Sequence, residues 1–211
     1  MLVYSLEMIC IVAFALSGVL VESNRGKDIV SIMMLGWITA LGGGTLRDLI
    51  LSAETIFWIR DSSYFWTALI SAIIGFFSIT HIRKNRLKKL IIMFDTIGVS
   101  LFSVLVTQQL YSGGYAAYVA VSMGIVTAIF GGVLRDILAH RQTLFNNTEL
   151  YATPIILGCC LYILLVNLNM GITLAALICM VLIVFMRFCI VVKKLNSPAF
   201  LLLKSDRPPR N

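Results

Sequence analysis

Apolar residues dominate this chain in seven long runs, and short segments between the runs carry most of the charge. A helix that crosses a membrane needs about 20 mostly apolar residues. Each run comes close to that length. The pattern therefore predicts seven spanning helices, at residues 2–21, 28–51, 64–82, 90–110, 115–139, 150–168 and 172–192.

Composition supports this assignment to a membrane. Hydrophobic residues make up 59% of the 211 positions and charged residues 13%, whereas soluble domains carry about 25% charged residues. We therefore expect a multi-pass integral protein of the cell inner (plasma) membrane, in contact with membrane lipid. The net charge of +7 lies mainly in the short loops, so it indicates topology and contact with anionic lipid rather than binding of nucleic acid.

The basic residues also predict how the chain is oriented. Fourteen lysines and arginines fall on one side of the predicted membrane, at the end of the fifth run and in the segments after the first, third, fifth and seventh runs. The opposite side has only Arg47 and Arg60. Because cytoplasmic loops carry the excess of positive charge, the N-terminus is predicted to lie outside the cell and the C-terminus in the cytoplasm.

A glycine-rich segment occurs twice, 88 residues apart. Eight of the sixteen positions in 36–51 are identical to those in 124–139. Each repeat holds three runs, and three is odd, so the second repeat enters the membrane from the opposite side. The predicted fold is an all-α integral membrane protein with two inverted three-helix repeats, 1–87 and 88–170, a seventh helix in 171–196 and a cytoplasmic tail in 197–211.

The glycines of each repeat have two interpretations. The spacing of Gly36, Ala40 and Gly44, and of their equivalents in the second repeat, is typical of closely packed helices. Gly42, Gly43 and Gly131 lie off that stripe.

The second interpretation is a kinked or broken helix, which the membrane tolerates where the backbone is buried in protein or lines a watery cavity. Paired broken helices in inverted repeats point to a permeation or substrate site. The candidate pore and hinge residues are Gly42, Gly43, Gly44, Gly131, Gly132, Thr39, Thr127 and Phe130. For the threonines, the alternative is a hydroxyl bonded back to its own helix.

Three pairs of charged residues also follow the repeat: Glu7 and Asp95, Arg47 and Arg135, and Asp48 and Asp136. Ionisable groups within a membrane are costly and are usually paired or functional. We predict cross-helix pairs of Glu7 with Arg47 and of Asp95 with Arg135, which would clamp the two mouths of a pathway. The alternative is that both arginines extend to lipid headgroups. Neighbours on a helix point apart, so Asp48 and Asp136 are expected to remain free to attract cations.

With the doubled Gly-Gly-x-Leu-Arg-Asp segment and this layout of helices, the chain resembles the prokaryotic branch of the trimeric intracellular cation channel family, which is also labelled a glycine-transporter domain family. The resemblance implies a homotrimer with one pore in each subunit, lined by two glycine-kinked helices and passing monovalent cations, chiefly potassium. It places the bends at Gly42-Gly43-Gly44 and at Gly131-Gly132. Phe130 stands where the first repeat has Gly42, so the second bend is expected to be shallower or gated by an aromatic ring.

The sequence lacks the motifs of an enzyme and of a cofactor or metal site, so potassium or sodium ions are expected only as permeating species. Two transport functions stay open. A channel and a secondary transporter of a small amino acid such as glycine both suit inverted repeats with broken helices. A membrane scaffold without transport is disfavoured, because two glycine-rich segments within helices cost stability and give a scaffold nothing in return.

Overall fold

The computed structural model describes residues 2–21, 28–79, 84–141 and 150–193, and within these ranges the chain forms helices and no strand. The predicted tail at 197–211 and half of the fourteen basic residues used to predict the orientation lie outside the described residues. The helices are α1 Leu2–Val21, α2 Ile29–Ile50, α3 Phe57–Arg60, α4 Ser62–Ile79, α5 Lys84–Ser112, α6 Ala117–Leu138, α7 Thr153–Asn167 and α8 Ile172–Lys193.

Six helices of the described chain, α1, α2, α4, α5, α6 and α8, are long and apolar enough to cross a membrane. The helix α7 is also apolar but has only 15 residues. All seven coincide with the predicted runs, which confirms the all-α membrane fold. The short helix α3 was not predicted, because its four residues are too few to show a helical period.

The helices group as the repeat requires. In the first unit α1 packs on α2 and α4, in the second α5 packs on α6 and α7, and α8 lies against α5 and α7. The two units meet where α1 packs on α5 and α2 packs on α6. The helix α8 is therefore an addition to two three-helix units.

The ends of α2 and α6 show that the repeat extends to the backbone. Each helix closes with a hydrogen bond from an N–H five residues further on, Ala53 to the Asp48 carbonyl and Arg141 to the Asp136 carbonyl, both at 2.9 Å. The residue before each donor, Ser52 or His140, has a φ of 50° or 49°. This is the Schellman arrangement, and it occurs in both repeats at the same 88-residue offset.

The predicted glycine stripe packs each second helix on the first helix of its own repeat. A Cβ at Gly36 would lie 2.9 Å from the Ala15 carbonyl oxygen, and one at Gly124 would lie 2.6 Å from the Ser103 carbonyl oxygen. The second pair of positions is the first shifted by 88. The close-packing interpretation is thus confirmed for Gly36 and Gly124, since any side chain there would separate the helices.

Candidate functional site

The helices α2 and α6 cross with their backbones in contact near the middle of the described bundle. A Cβ at Gly43 would collide with the Thr127 carbonyl oxygen, and a Cβ at Gly131 would collide with the Thr39 carbonyl oxygen. Both helices continue without interruption through these glycines. The interpretation that set Gly43 and Gly131 apart from close packing because they lie off the stripe was therefore wrong, since it considered only contacts within one repeat.

Gly42 and Gly44 of the first segment are also in close contact with side chains. A Cβ at Gly42 would lie 2.8 Å from Cδ1 of Leu134, and one at Gly44 would lie 2.9 Å from Cζ of Phe57. Gly132 is buried and Phe130 is half-buried. The segments are thus packed here, and their role as a hinge stays a prediction.

The two threonines of the crossing differ. Both are 1% exposed, and Thr39 Oγ1 donates a hydrogen bond to the Leu35 carbonyl at 2.6 Å. The Thr127 hydroxyl has no hydrogen-bond partner among the described residues. The alternative of a hydroxyl bonded to its own helix therefore applies to Thr39 only, whereas Thr127 has an unpaired hydroxyl oxygen on the residue whose carbonyl contacts Gly43.

A group of buried polar residues lies at one end of the bundle, which we call the Asp95 cluster: Asp95, Arg135, Asp136, Arg187, Tyr151 and Ser17. Arg135 Nη1 lies 3.0 Å from Asp95 Oδ1, so the pair expected from the repeat is present. The other oxygen, Oδ2, accepts hydrogen bonds from Tyr151 OH at 2.9 Å and from Arg187 Nη2 at 3.3 Å. Asp95 is only 3% exposed, and its charge is balanced by two guanidinium groups.

Further contacts extend this cluster to neighbouring elements. Arg135 donates to Asp136 Oδ1 at 2.9 Å and to Ser17 Oγ at 2.6 Å. Arg187 donates to the Tyr151 carbonyl at 3.1 Å, and its guanidinium carbon lies 4.1 Å from the centre of the Tyr151 ring. The cluster therefore ties α1, α5, α6, α8 and the segment before α7 to one another.

The opposite end of the bundle has the Glu7 cluster, which consists of Glu7, Tyr64, Gln109, Arg47 and Asp48. Glu7 accepts hydrogen bonds from Tyr64 OH and Gln109 Nε2. Arg47 instead binds Asp48 Oδ1 through Nε and Nη2, both at 2.7 Å. The predicted Glu7–Arg47 pair is therefore wrong, because neutral donors on α4 and α5 occupy Glu7.

The expectation that Asp48 and Asp136 point away from the preceding arginines was also wrong. Each carboxylate binds the guanidinium directly before it, Asp48 that of Arg47 and Asp136 that of Arg135. The rule for neighbours describes Cβ directions, whereas a long arginine side chain folds back over one residue. Hydrogen bonds between charged groups are roughly twice as strong as neutral ones, which offsets the loss of side-chain freedom.

Asp48 also explains the unpredicted helix α3. Its second oxygen, Oδ2, accepts the Phe57 N–H at 2.8 Å, and the Trp58 indole N–H donates to Thr45 Oγ1 at 3.0 Å. The Arg47 guanidinium carbon lies 5.6 Å from the centre of the Phe57 ring. These contacts hold α3 against the C-terminal end of α2.

Each cluster borders a cavity. The Glu7 vestibule has a volume of about 380 Å³ and is lined by Tyr4, Glu7, Arg47, Phe57, Arg60, Asp61, Tyr64, Phe102 and Gln109. The Asp95 pocket has only about 70 Å³ and is lined by Asp95, Arg135, Tyr151, Arg187 and the apolar residues Ile91, Ile92, Leu150, Ile190 and Val191. Glu7 and Ser17 mark the two ends on α1, separated by about 15 Å of helical rise.

The two ends differ in formal charge. The Asp95 cluster has two carboxylates and two guanidinium groups, whereas the Glu7 cluster has two carboxylates and the single guanidinium of Arg47. Arg60 and Asp61 add one charge of each sign to the vestibule. The backbone N–H of Ser63 holds the pKa of the Asp61 carboxyl below its usual value, so this group stays ionised near neutral pH. The Glu7 end therefore has a formal charge of −1 when Asp48, which does not line the cavity, is included, whereas the four charged residues that line the vestibule sum to zero. The four charged groups of the Asp95 cluster also sum to zero.

Sequence reasoning missed several of these side chains. Arg187 is the one charged residue inside the last apolar run, and that isolation was the available signal. Tyr64 and Tyr151 follow the acids of their repeats by 57 and 56 residues, a near-match to the repeat. Gln109 had no comparable signal.

Six apolar helices form two inverted units with reciprocal glycine contacts, and a seventh packs beside them. This arrangement defines a multi-pass membrane protein of the inverted-repeat class. A family model described as a glycine transporter matches residues 4–80 and 92–167, and these two stretches begin 88 residues apart. The inner membrane protein YadS of Escherichia coli, in the group UPF0126, is 32% identical over 160 residues, which cover 75% of this chain and 76% of YadS. YvgT of Bacillus subtilis is 31% identical over 153 residues, which cover 72% and 75% of the two chains.

Solved structures give the same assignment. The trimeric intracellular cation channel orthologue from Rhodobacter sphaeroides superposes with a TM-score of 0.87 at 30% identity, covering 92% of this chain and 99% of that one. A prokaryotic channel of this type, crystallised in 0.5 M KCl, superposes with a TM-score of 0.84 at 25% identity, covering 93% and 99%. The chain belongs to the prokaryotic trimeric intracellular cation channel family, to which the glycine-transporter description is also applied, and it is a multi-pass protein of the inner membrane.

Proposed function

We propose that this protein is a cation channel with a pore in each subunit of a homotrimer, and that it passes monovalent cations, chiefly potassium. The observation that carries this proposal is the similarity, over nearly the whole chain, to structures described as trimeric intracellular cation channels. That similarity supports transport rather than enzymatic activity. Cations would be the permeating species and not bound cofactors.

The proposed pathway runs from the Glu7 vestibule past the crossing of α2 and α6 to the Asp95 pocket. Near the crossing it would be lined by the glycine segments and by the Thr127 hydroxyl, whose free oxygen suits a partly dehydrated cation. Gly43 and Gly131 lie in backbone contact here, so conduction requires α2 and α6 to separate. The glycines, with Phe130 at the position of Gly42, are the proposed hinge of that movement.

Charge at the mouths supports selection for cations. The Glu7 end of the bundle has a formal charge of −1 with Asp48 included, and negative charge beside a cleft with low-dielectric walls raises the local concentration of cations. Glu7 is the acidic residue deepest in this cavity, because it is 8% exposed. With the N-terminus outside, as the loop charges predict, the vestibule would face the outside and the Asp95 pocket the cytoplasm.

The test is planar-bilayer recording of the purified full-length protein in a gradient of potassium chloride. We expect unitary currents that reverse close to the potassium equilibrium potential. Glu7→Gln should move the reversal potential toward that of chloride, because it leaves Asp61 against Arg47 and Arg60 in the vestibule lining, a formal charge of +1. Glu54→Gln is the matched control, because Glu54 is exposed and does not line the vestibule. Absence of unitary currents would contradict a channel, and equal reversal potentials in both variants would contradict the role of Glu7.

A second candidate is a secondary transporter of a small amino acid such as glycine. It is favoured by a vestibule lined by two carboxylates, Glu7 and Asp61, and by two guanidinium groups, Arg47 and Arg60, a set that suits a zwitterion. The description of the family model points the same way. Saturable uptake of labelled glycine into liposomes, without unitary currents in the bilayer, would establish this function instead.

A further inference from the structure

The acids at the two ends of the bundle have different partners, although the repeat relates them. Glu7 receives hydrogen bonds from two neutral groups, Tyr64 OH and Gln109 Nε2. Asp95 receives one hydrogen bond from a tyrosine, Tyr151, and two from guanidinium groups. The second guanidinium, that of Arg187, comes from α8, which lies outside both three-helix units. The difference between the ends therefore originates partly in Arg135, whose equivalent Arg47 binds Asp48 instead of Glu7, and partly in the added helix.

Arg187 connects three parts of the protein. Its Nη2 lies 3.3 Å from Asp95 Oδ2 on α5, and its Nε lies 3.4 Å from Thr96 Oγ1 on the same helix. Its Nη1 donates to the Tyr151 carbonyl at 3.1 Å, and its guanidinium lies over the Tyr151 ring. Arginine suits this position because its planar group binds a carboxylate and stacks on an aromatic ring together. Through one side chain, α8 holds α5 and the segment before α7 close to each other.

The cavities at the two ends also differ in size, and the end that contains Arg187 has the smaller one. The Asp95 pocket, which Arg187 lines, measures about 70 Å³, against about 380 Å³ for the Glu7 vestibule. A pocket of the smaller volume holds only a few water molecules, since each takes about 30 Å³ in the liquid. Arg187 also cancels the charge that would otherwise make this end attractive to cations. One residue thus contributes both to the small volume and to the neutrality of this end.

We propose that Arg187 of α8 is a latch that holds the Asp95 end of the pathway closed, and that this end opens when the guanidinium leaves Asp95 and Tyr151. The proposal rests on the proposed transport function for its purpose, but its mechanical part is tested without any transport. Release of Arg187 frees α8 and the Tyr151 segment to move from α5. It also exposes Asp95 with Arg135 as its remaining charged partner, so cations meet a more acidic mouth.

Accessibility of the pocket to a water-soluble reagent tests the latch directly. Ile91 lines the pocket and is 8% exposed, so Ile91→Cys places a thiol there. The less buried native cysteines are removed by Cys160→Ser and Cys189→Ser, while Cys10, Cys159 and Cys179 stay because they are buried. The full-length protein in liposomes is treated with a charged methanethiosulfonate that does not cross membranes. The rate of labelling is followed by intact-mass measurement.

Arg187→Gln in this background should raise the labelling rate by roughly tenfold or more, because a minor open state is typically populated at 10% or less before the latch is removed. Arg187→Lys should give an intermediate rate, since an ammonium keeps the charge but loses the planar contacts. Arg60→Gln, the same substitution in the Glu7 vestibule, is the matched control and should leave the rate unchanged. Equal labelling rates in folded Arg187→Gln and in the native background would overturn the latch.

A second variant distinguishes a latch from a purely structural role of Arg187. Removing Arg187 alone leaves Asp95 less well compensated, so unfolding has to be checked by size-exclusion chromatography and thermal unfolding. The double variant Asp95→Asn with Arg187→Gln removes one charge of each sign and leaves Arg135 with Asp136. A latch predicts that this folded double variant is also labelled quickly. Slow labelling in a folded double variant would show that the pocket stays closed without Arg187.

Bilayer recordings of the same proteins separate the latch from the channel function. Longer open times in Arg187→Gln, together with fast labelling, support both. Fast labelling without unitary currents in any of the proteins supports the latch and contradicts the channel. Normal unitary currents in a native background, with slow labelling in Arg187→Gln, contradict the latch and leave the channel intact.

Discussion

Gly43 lies directly against the backbone carbonyl of Thr127, and the repeat reproduces this contact between Gly131 and Thr39. The four positions are two pairs related by the same 88-residue offset, so the contacts surround the axis that relates the repeats. Each glycine admits a carbonyl oxygen of the opposing helix. The crossing is therefore fixed by backbone atoms, which move only when a whole helix moves.

This contact predicts that Gly43→Ala and Gly131→Ala destabilise the protein. Overpacking typically costs about 1–3 kcal/mol, against a gain of about 1 kcal/mol from the higher helix propensity of alanine. The obstructing atom is a backbone carbonyl oxygen, so we expect the cost to dominate. Thermal unfolding of the purified protein in detergent should show a lower Tm for both variants.

Gly171→Ala is the control for that measurement, because nothing lies within 4 Å of a Cβ built at Gly171. Its Tm should stay close to that of the unmodified protein. A Tm of Gly43→Ala equal to that of Gly171→Ala would mean that the crossing of α2 and α6 is looser than described.

The two acids of the repeat should differ in their contribution to stability. Asp95→Asn removes a buried charge and leaves Arg135 and Arg187 with less compensation, and breaking a buried ion pair on one side typically costs about 3–5 kcal/mol. Glu7→Gln keeps an oxygen that accepts from Tyr64 or Gln109, both neutral, so a loss of about 1 kcal/mol is expected. Equal changes in the Tm of the two variants would show that the ion pairs of Asp95 with Arg135 and Arg187 add no stability beyond that of neutral hydrogen bonds.

The parts that could be predicted from the sequence are those set by short-range pattern and by the repeat. The apolar runs predicted seven helices, and the offset of 88 related Asp95 and Arg135 to Glu7 and Arg47. The ion pair of Asp95 with Arg135 is present, and the pair of Glu7 with Arg47 is not. The difference lies in side chains far away in the chain, because Tyr64 and Gln109 reach Glu7 across 57 and 102 residues.

Competition between partners also explains the other differences. Arg47 contacts Asp48 and Phe57 rather than Glu7. This choice of partner depends on the side-chain rotamer of Arg47, which the spacing of residues in the sequence does not determine. The helix α3 is joined to the end of α2 by hydrogen bonds from Phe57 to Asp48 and from Trp58 to Thr45, and neither follows from local pattern. The register in which Gly43 meets Thr127 is a property of two packed repeats, whereas the stripe at Gly36 lies within one repeat and was predictable.

The hydrogen bond from Phe57 to Asp48 predicts that Asp48→Ala loosens α3. The substitution removes the acceptor of the Phe57 N–H and the partner of the Arg47 guanidinium together. A four-residue helix has little stability of its own, so amide hydrogen exchange should accelerate at residues 57–60. The central turns of α2 should keep their protection.

Glu54→Ala is the control, because Glu54 lies in the same connection and is exposed. It should leave exchange at residues 57–60 unchanged. Unchanged exchange in Asp48→Ala would mean that the aromatic contacts of Phe57 and Trp58 hold α3 without the carboxylate.

The threonines of the crossing give a prediction that separates packing from permeation. The Thr127 hydroxyl is buried without a partner in the described chain, and a buried unsatisfied group costs about 1–3 kcal/mol, so Thr127→Val should raise the Tm. Thr39→Val loses only a bond to a carbonyl of its own helix and should change the Tm little.

If cations pass the crossing, Thr127→Val should nevertheless lower potassium conductance roughly twofold or more, because it removes a free oxygen from the pathway. Thr39→Val should leave conductance near that of the unmodified channel. A more stable Thr127→Val with unchanged unitary conductance would remove Thr127 from the pathway, and equal losses in both variants would point to packing at the crossing instead.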